Sequence, residues 1–572
     1  MFPSIRQWRY VGLVLKAKEK KLISVLLLIV TLAISVFGVR WYRANRIFVP
    51  DYGGTYVEGV VGNPRLINPL YAVASDIDSD LVGLIYSGLF KLDEKGEVVP
   101  DLAEVVTTKD NGKKLVITLK SNVKFSSGGA LRANDVVFTY DLIKNPAYQS
   151  PLRSYFLNLD FKALDDLNVE ITLNETKTQL KRYLTQGILP EYIWQNVPST
   201  SATLAEYNLK PIGSGPYMFK SLTKDKQGVV QSYTLAPSEH YYGRKPYLKE
   251  VAFKFYADYD KVASALENSE VDGSAYLPAT RGQSFVNRAV WRAYQLDLPQ
   301  YVSIFFNPLK KDILKEARMR EALFLSLDRE AILKEAVGVN GRVVNGPLSG
   351  SLFRDVTEKI APSDQAKAQE LIKQLGFQLI DGKFFKVDKP KTKKAEPVKT
   401  PLSITLTTID HPEYKKAAEK IKELWSNIGL EVKLNIVAKD APERKEIFAN
   451  RNFEVLLFGE LLGFDFDPTP FWHSSGNNEK GLNLSGLSSG EVDKLLETAA
   501  KTDSMEIKKE KYAAFQRILE RDRVAIFLWS PHYQYFIDSR IKGVEVPYLS
   551  VPSDRLRTLP NWYQKTRRAF KK

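Results

Sequence analysis

The sequence predicts an α/β protein of several structural domains, with one membrane-spanning helix near its N-terminus. Segments in which every second residue is apolar, typical of strands, alternate with segments of helical spacing along most of the chain. The chain has 572 residues, more than a single hydrophobic core commonly serves, so roughly two to four domains are expected. An uncharged apolar run precedes all of them.

The apolar run extends from Leu22 to Val39 and would span about 27 Å as a helix, close to the hydrocarbon thickness of a bilayer. Six basic residues precede it and three follow it, which predicts a cytoplasmic segment at 1–21 and an external remainder. The alternative is a signal peptide cleaved after Ser35, since Ala33 and Ser35 are small. Both interpretations place the rest of the chain outside the cytoplasm.

The formal net charge of +15 is concentrated at the two ends of the sequence. Residues 1–50 hold nine Lys or Arg side chains and one acid, and residues 555–572 hold seven and no acid. The segment between them is formally neutral. Basic ends of this kind favour contact with anionic lipid, and the neutral middle argues against a nucleic-acid partner.

Residue types that carry common catalytic chemistry are scarce or unsuitably spaced. The chain has no Cys and four scattered His, so no disulfide, thiol nucleophile or metal site is predicted. A GxSxG match at 486–490 lacks the apolar strand that a nucleophile elbow needs, and the spacing of Ser488 and Glu491 favours a capping box. We therefore predict a binding protein, not an enzyme, with no catalytic residues and no cofactor.

Several elements are well defined by their residue pattern. Strands are predicted at 115–120, 169–173 and 430–437, and helices at 134–143, 319–337 and 414–428. Asn134 is a suitable N-cap for the first helix, and Gly429 is a suitable end for the third. A Lys- and Pro-rich stretch at 389–401 predicts a flexible insertion.

One loop combines carboxylates with aromatic residues after an apolar strand at 455–458. Asp465 and Asp467 alternate with Phe464 and Phe466, and prolines at 468 and 470 restrict the backbone. Such a loop could hold a ligand ammonium between aromatic walls. Paired carboxylates also serve glycosidases, and either carboxylate could instead cap the local backbone.

The order and spacing of several short motifs resemble the family 5 extracellular solute-binding proteins over nearly all of residues 53–550. The most diagnostic stretch is ANDVVFTY at 133–140. The other matching segments are GT at 54–55, NPL at 68–70, LIYSGL at 84–89, VPDLA at 99–103, IGSGPY at 212–217, RMREAL at 318–323 and DFDPTPFWHS at 465–474. Ser127, Ser214 and Phe466 depart from the residues usual in the family.

The resemblance implies a bilobed α/β fold of the type II periplasmic-binding-protein kind, in its three-segment peptide-binding variety. It implies a monomer that captures oligopeptides or dipeptides between its lobes and delivers them to the permease subunits of an ABC importer. The apolar run from Leu22 to Val39 is expected to hold this protein at the cell membrane. The implied organisation is a linker at 40–52, lobe I at 53–97, 205–298 and 525–560, a subdomain of lobe I at 98–204, lobe II at 299–524, and a basic tail at 561–572.

The resemblance also implies site residues. Peptide-binding members pair an Asp of the loop equivalent to 463–468 with the peptide α-amine, so Asp465 is the first candidate here and Asp467 the second. Further residues expected to line or adjoin the ligand site are Phe464, Phe466, Trp472, Ser214, Gly215, Tyr217 and Tyr276.

Three alternatives to peptide import remain open at this point. The ligand could be a nickel chelate, an opine or a sugar oligomer. The protein could instead sense peptides without passing cargo, although the predicted cytoplasmic segment at 1–21 leaves little room for a signalling domain, so that a sensor would need a partner. A secreted hydrolase using Ser488 is the remaining alternative. If the N-terminal segment is cleaved, the protein would be periplasmic or secreted.

Overall fold

A computed structural model describes residues 15–110, 113–173, 180–286, 288–348, 361–388, 397–438, 441–462, 467–479, 481–502, 504–546 and 549–570. Its α-helices, numbered in chain order, are α1 Ala17–Ala44, α2 Asp76–Ile85, α3 Ala133–Lys144, α4 Arg153–Phe156, α5 Leu180–Tyr183, α6 Glu191–Trp194, α7 Tyr259–Glu267, α8 Ala279–Val286, α9 Ala317–Leu325, α10 Arg329–Val337, α11 Gln365–Gln374, α12 Pro412–Asn427, α13 Glu443–Ala449, α14 Thr469–Trp472, α15 Gly490–Lys501 and α16 Met505–Asp522.

The strands between these helices are also numbered in chain order. They are β1 Arg46–Asp51, β2 Thr55–Val61, β3 Phe90–Leu92, β4 Val98–Pro100, β5 Ala103–Lys109, β6 Lys114–Leu119, β7 Leu159–Ala163, β8 Asn168–Leu173, β9 Tyr217–Lys224, β10 Val230–Pro237, β11 Glu250–Tyr256, β12 Gly273–Ala275, β13 Trp291–Asp297, β14 Gln300–Phe306, β15 Gly341–Val343, β16 Phe377–Ile380, β17 Lys383–Asp388, β18 Val398–Pro401, β19 Ser403–Ile409, β20 Glu431–Val437, β21 Val455–Leu461, β22 Ala525–Asp538 and β23 Lys565–Phe570.

A mixed central sheet extends through two lobes, which confirms the predicted bilobed α/β fold. Its strand order is β20-β19-β21-β14-β22-β12-β2-β11-β10-β9, and β13 and β15 also pair with β22. We call the part from β12 to β9, with β13 and helices α2 to α8, lobe I. The part from β20 to β14, with β15 and helices α9 to α16, is lobe II. Strand β22 belongs to both lobes, because β14 pairs with its first half and β13 with its second.

The chain crosses between the lobes at two adjacent places. Leu298 and Pro299 connect β13 to β14, and Pro531 lies within β22 between the segments that pair with those two strands. A proline cannot donate a ladder hydrogen bond, so β22 lacks one backbone donor at the point where it passes from one lobe to the other. These two crossings position the space between the lobes.

A second, antiparallel sheet extends lobe I. Its order is β5-β6-β8-β7, and helix α3 packs against β7 and β8. Alternate residues of β6 and β8 point inward, so Leu115, Ile117, Val169 and Ile171 are buried in the same hydrophobic core as β2 and β10. The predicted strands at 115–120 and 169–173 match β6 and β8 to within one residue.

Two shorter helices replace the single helix predicted at 319–337, so that prediction is wrong in the middle of the segment. Helix α9 ends at Leu325 and α10 begins at Arg329. The Asp328 carboxylate accepts a hydrogen bond of 3.0 Å from the Ala331 backbone N–H and caps α10. Apolar residues keep helical spacing across the break, because both helices face the lobe II core, so spacing alone did not reveal it.

The predicted helix starts are one or two residues away from the observed N-caps. Arg132 precedes α3, where Asn134 was expected to act as the cap, and the Asp135 carboxylate accepts from the Arg132 backbone N–H at 2.7 Å. In the GxSxG segment the capping serine is Ser489, whose hydroxyl accepts from the Val492 N–H at 3.4 Å. A serine of this segment therefore caps helix α15 as predicted, but it is Ser489 and not Ser488.

The N-terminal helix α1 stands apart from both lobes. Its segment Ala17–Tyr42 is long and apolar enough to cross a membrane, and its apolar window is not buried against the described protein. Strand β1 follows it and pairs antiparallel with β23, from Arg46 opposite Phe570 to Asp51 opposite Lys565. The segment predicted as a basic tail thus contains a strand that returns to the end of α1.

Candidate functional site

A cavity of about 210 Å³ lies between the two lobes. It is lined by residues from both lobes and from the crossings: Asp76, Tyr259, Tyr276, Pro278, Leu298, Gln300, His411, Glu413, Leu461, Tyr533 and Pro552. A cavity that touches two lobes beside their connecting strands can change shape when the lobes move. We call this space the cleft.

A smaller cavity of about 120 Å³ continues the cleft into lobe II. It shares Gln300, His411, Glu413, Leu461 and Tyr533 with the cleft and adds Glu460 and Tyr301. A larger cavity of about 730 Å³ lies elsewhere, but every residue that lines it belongs to lobe I or to the segment 553–561. Since that cavity touches only one lobe, closure of the lobes would not enclose a ligand there.

Three carboxylates face the cleft from different elements. Asp76 is the first residue of α2, Glu413 lies in the first turn of α12, and Glu460 lies near the end of β21. Pro412 occupies the first position of α12, where a backbone N–H would have no partner within the helix. Its restricted backbone favours the start of the helix immediately before Glu413. The described residues that line the two connected cavities include no Lys or Arg. The cleft therefore favours a cationic group.

Burial alters the protonation of these acids. It raises the pKa of Glu413 to about 7 and the pKa of Glu460 to about 8, because the charged form loses its hydration. Burial, and secondarily the nearby Asp80 carboxylate, also raise the pKa of Asp76. Each acid would gain from a cationic partner, since a neighbouring positive charge favours the ionised form.

Glu460 is held from behind by a chain of hydrogen bonds. The Trp472 indole N–H donates to the Tyr301 hydroxyl at 3.0 Å, and that hydroxyl donates to Oε2 of Glu460. The second oxygen, Oε1, is buried and has no hydrogen-bond partner among the residues that the structure describes. A buried acceptor without a partner is costly, so this oxygen is available for a donor from a ligand.

A buried ionic cluster supports the lobe I wall. Arg555 donates two hydrogen bonds of 2.6 Å to Asp80 and one of 3.2 Å to Glu58. Two tyrosine hydroxyls donate to the same Glu58 carboxylate. The Arg555 guanidinium also lies 5.4 Å from the ring centre of Tyr276, which lines the cleft. Burial raises the pKa of Glu58 and of Asp80, and the Arg555 charge opposes that rise.

The sequence-predicted site residues occupy different environments. Tyr276 lines the cleft, and its hydroxyl donates to the Pro552 carbonyl at 2.9 Å. Trp472 is fully buried in the lobe II core, and Tyr217 is buried in the lobe I core. Ser214 is buried, and its carbonyl accepts a hydrogen bond of 3.4 Å from the Ser87 hydroxyl. Gly215 lies against the end of α2, where an added Cβ would be 2.6 Å from the Ile85 carbonyl carbon.

The acidic loop is only partly within the described residues. Phe464, Asp465 and Phe466 fall outside them. Asp467 is described, and its Oδ1 accepts from the Thr469 backbone N–H at 2.9 Å and from the Thr469 hydroxyl at 2.5 Å. Asp467 therefore binds the backbone at the start of α14, which is the capping alternative considered for this loop.

Glu413, Glu460, His411 and Tyr533 line the cleft but were not singled out in the sequence. Glu460 carried a recognisable signal, because an acid inside an apolar strand is rarely buried without a partner or a function. Glu413 carried none, since acids are common in the first turn of any helix. The lobe that each residue faces depends on long-range pairing that spacing does not encode.

Comparison with known proteins agrees with this architecture. Residues 97–481 match the model of the bacterial extracellular solute-binding proteins, family 5. The chain belongs to this family. The oligopeptide-binding protein AppA of Bacillus subtilis is 29% identical over 526 residues, covering 90% of this chain and 92% of AppA. The nickel-binding periplasmic protein of Escherichia coli is 24% identical over 511 residues, covering 86% of this chain and 90% of its own.

The family is also evident in three dimensions. The structure of Bacillus subtilis AppA in complex with a nonapeptide superposes with a TM-score of 0.72 at 28% identity, and the match covers 90% of this chain and 99% of that one. The two proteins therefore share the same overall fold over most of their length.

Proposed function

We propose that this family 5 protein captures peptides in its cleft by their positively charged α-amine and delivers them to the permease of an ABC importer. The observation that carries the proposal is the distribution of acids in the two connected cavities: Asp76 and Glu413 line the cleft, and Glu413 and Glu460 line its inner part. The described residues that line these cavities include no Lys or Arg. The similarity to an oligopeptide-binding protein supports the ligand class. The protein is in this account a carrier and not an enzyme.

Capture would proceed by closure of the lobes over the ligand. A ligand that contacts both walls stabilises the closed state by the difference between its contacts in the two states. Asp76 on lobe I and Glu413 on lobe II face the same cavity, so one cationic group between them would draw the lobes together. Closure also removes water, which strengthens each charged hydrogen bond.

The acidic loop supplies the proposed first contact for the amine. Asp465 is the candidate, because it holds the position where peptide-binding relatives are expected to place their amine-binding Asp. Asp467 is the weaker candidate, since its carboxylate already accepts two hydrogen bonds from Thr469. Glu413 and Glu460 would form the inner part of the same acidic site.

Replacing Asp465 with asparagine tests this assignment. Charged hydrogen bonds contribute about 1.5–3 kcal/mol, so Asp465→Asn is expected to weaken peptide binding about tenfold or more in calorimetry. Asp467→Asn is the matched control in the same loop, and it should lower thermal stability while changing affinity less. Unchanged affinity in Asp465→Asn would remove this residue from the site. Binding of a nickel chelate and not of peptides would contradict the proposed ligand class.

We also propose that α1 retains the protein at the outer face of the cell membrane. Its apolar segment has the length of a membrane span, and the basic residues before it orient the lobes outward. Cleavage after Ser35 would give a free extracytoplasmic protein instead. The proposed peptide-binding role is the same in both cases.

A further inference from the structure

We propose that β1 and β23 form a basic and aromatic ribbon that binds anionic lipid headgroups at the membrane surface beside α1. This inference is independent of the ligand in the cleft. It concerns one face of the two-stranded ribbon, where residues 46, 48 and 50 stand opposite residues 570, 568 and 566. It rests on the proposal that α1 is retained as a membrane span, because that span brings the ribbon to the lipid surface.

The pairing register places two Arg–aromatic pairs on one face of the ribbon. Arg46 stands opposite Phe570, and Phe48 stands opposite Arg568. Residues directly opposite in an antiparallel pair share a face. The Arg46 guanidinium lies 5.1 Å from the Phe570 ring centre, and the Arg568 guanidinium lies 5.5 Å from the Phe48 ring centre. No acid occurs among the six residues of this face, which we call the basic face.

The opposite face of the ribbon has a different character. Asp51 lies there and forms an ion pair of 4.0 Å with Arg567. Lys565 stands opposite Asp51 and approaches Gly53. Lys565, Arg567 and Asp51 give this side a formal charge of +1, whereas Arg46 and Arg568 give the basic face +2 with no acid. Phe48 and Phe570, with 67% and 49% of their surface exposed, also project from the basic face.

The basic face is continuous with the end of the proposed membrane span. Trp41 and Tyr42, in the last turn of α1, contact the Phe570 ring at centre distances of 6.4 and 5.8 Å. The Arg46 guanidinium also lies 4.2 Å from the Tyr42 ring centre. Trp and Tyr at the end of a spanning helix commonly lie at headgroup depth. The ribbon therefore begins in the layer where lipid phosphates are located.

An anionic lipid surface fits these features better than an acidic protein. Arginines attract anionic headgroups, while exposed aromatic rings insert at the boundary between headgroups and acyl chains. Arg46 and Arg568 alternate with aromatic residues over the basic face, so both interactions would occur together. Only Asn45 separates the ribbon from the helix, because α1 ends at Ala44 and β1 begins at Arg46. The adjacent surface is consequently lipid.

The test uses the full chain in lipid discs with one fluorescent label. The sequence has no Cys, so Thr566→Cys gives a single labelling site on the basic face without changing its charge. Quenching by nitroxide-labelled headgroups is measured in discs with phosphatidylglycerol and in discs of phosphatidylcholine alone. Val339→Cys on lobe II, where the side chain is 84% exposed, provides the distant control.

We expect strong quenching at position 566 in phosphatidylglycerol discs, weaker quenching in phosphatidylcholine, and loss of the difference at about 1 M salt, where charges are screened beyond about 3 Å. Arg568→Glu should lower the ratio of molecules whose ribbon contacts the lipid surface to molecules whose ribbon does not by about tenfold. Arg567→Glu, the same change on the opposite face, should lower this ratio less. Equal quenching in the two lipids, whether strong or weak, would overturn recognition of anionic headgroups. Equal effects of the two Arg variants would overturn the assignment to one face.

Discussion

Replacing Arg555 with alanine is expected to destabilise the folded protein by about 3–5 kcal/mol. Arg555 is 3% exposed and is the cation between Asp80 and Glu58, which are themselves almost fully buried. Its removal leaves two carboxylates in a low-dielectric core with no positive partner. The unfolding free energy from denaturant titration of the ligand-free protein measures this loss.

An exposed ion pair provides the control for that experiment. Arg132 and Asp166 are 2.8 Å apart with side chains 57% and 70% exposed. Solvent screens such a pair, so Arg132→Ala should cost about 1 kcal/mol or less. A loss of similar size in the two variants would mean that the Arg555 cluster contributes no more than a surface contact. The cluster would then not be what holds the acidic lobe I wall in place.

Peptide affinity is expected to fall about tenfold or more when the pH is lowered from about 7.5 to about 5.5. Burial raises the pKa of Glu413 to about 7 and of Glu460 to about 8, so both carboxyls are largely protonated in the empty cleft at the lower pH. A bound ammonium favours the ionised forms, and binding at low pH must therefore release protons. Calorimetry in buffers with different ionisation enthalpies measures that release directly.

The sign of this pH effect separates binding from folding. The unfolded chain ionises these acids near their ordinary pKa, whereas the folded, ligand-free protein keeps them protonated to higher pH. Their contribution to stability is therefore greatest at low pH and decreases as the pH rises toward about 8. Peptide affinity should change in the opposite direction. Affinity that is independent of pH in the wild type, or unchanged pH dependence in Glu413→Gln combined with Glu460→Gln, would exclude these acids from ligand binding.

The sequence allowed the fold to be predicted more completely than the site. Local signals were sufficient for α1, for the strands β6 and β8 and for the helix that ends before Gly429, because apolar spacing and end residues act over a few positions. The break between α9 and α10 was missed because it preserves helical spacing on both sides. The pairing of β1 with β23 joins residues about 520 positions apart, and no local pattern encodes it.

Site residues were harder to predict, since aromatic residues serve both cores and ligand walls. Trp472 was expected at the wall, and the structure places it behind the wall, where it donates to Tyr301 and so orients Glu460. Glu460 and Glu413 reach one cavity only because β21 and α12 are adjacent in lobe II. Their meeting depends on tertiary structure, which residue types and spacing do not specify.

The central claim is that the acidic cleft recognises a charged peptide amine, and one comparison tests it most directly. Calorimetry of the wild-type protein with a peptide and with the same peptide acetylated at its N-terminus isolates the contribution of that charge. We expect the acetylated peptide to bind about tenfold or more weakly, since charged hydrogen bonds contribute about 1.5–3 kcal/mol. Equal affinity for the two peptides would contradict this claim. So would a protein that binds neither peptide but binds a non-peptide ligand tightly.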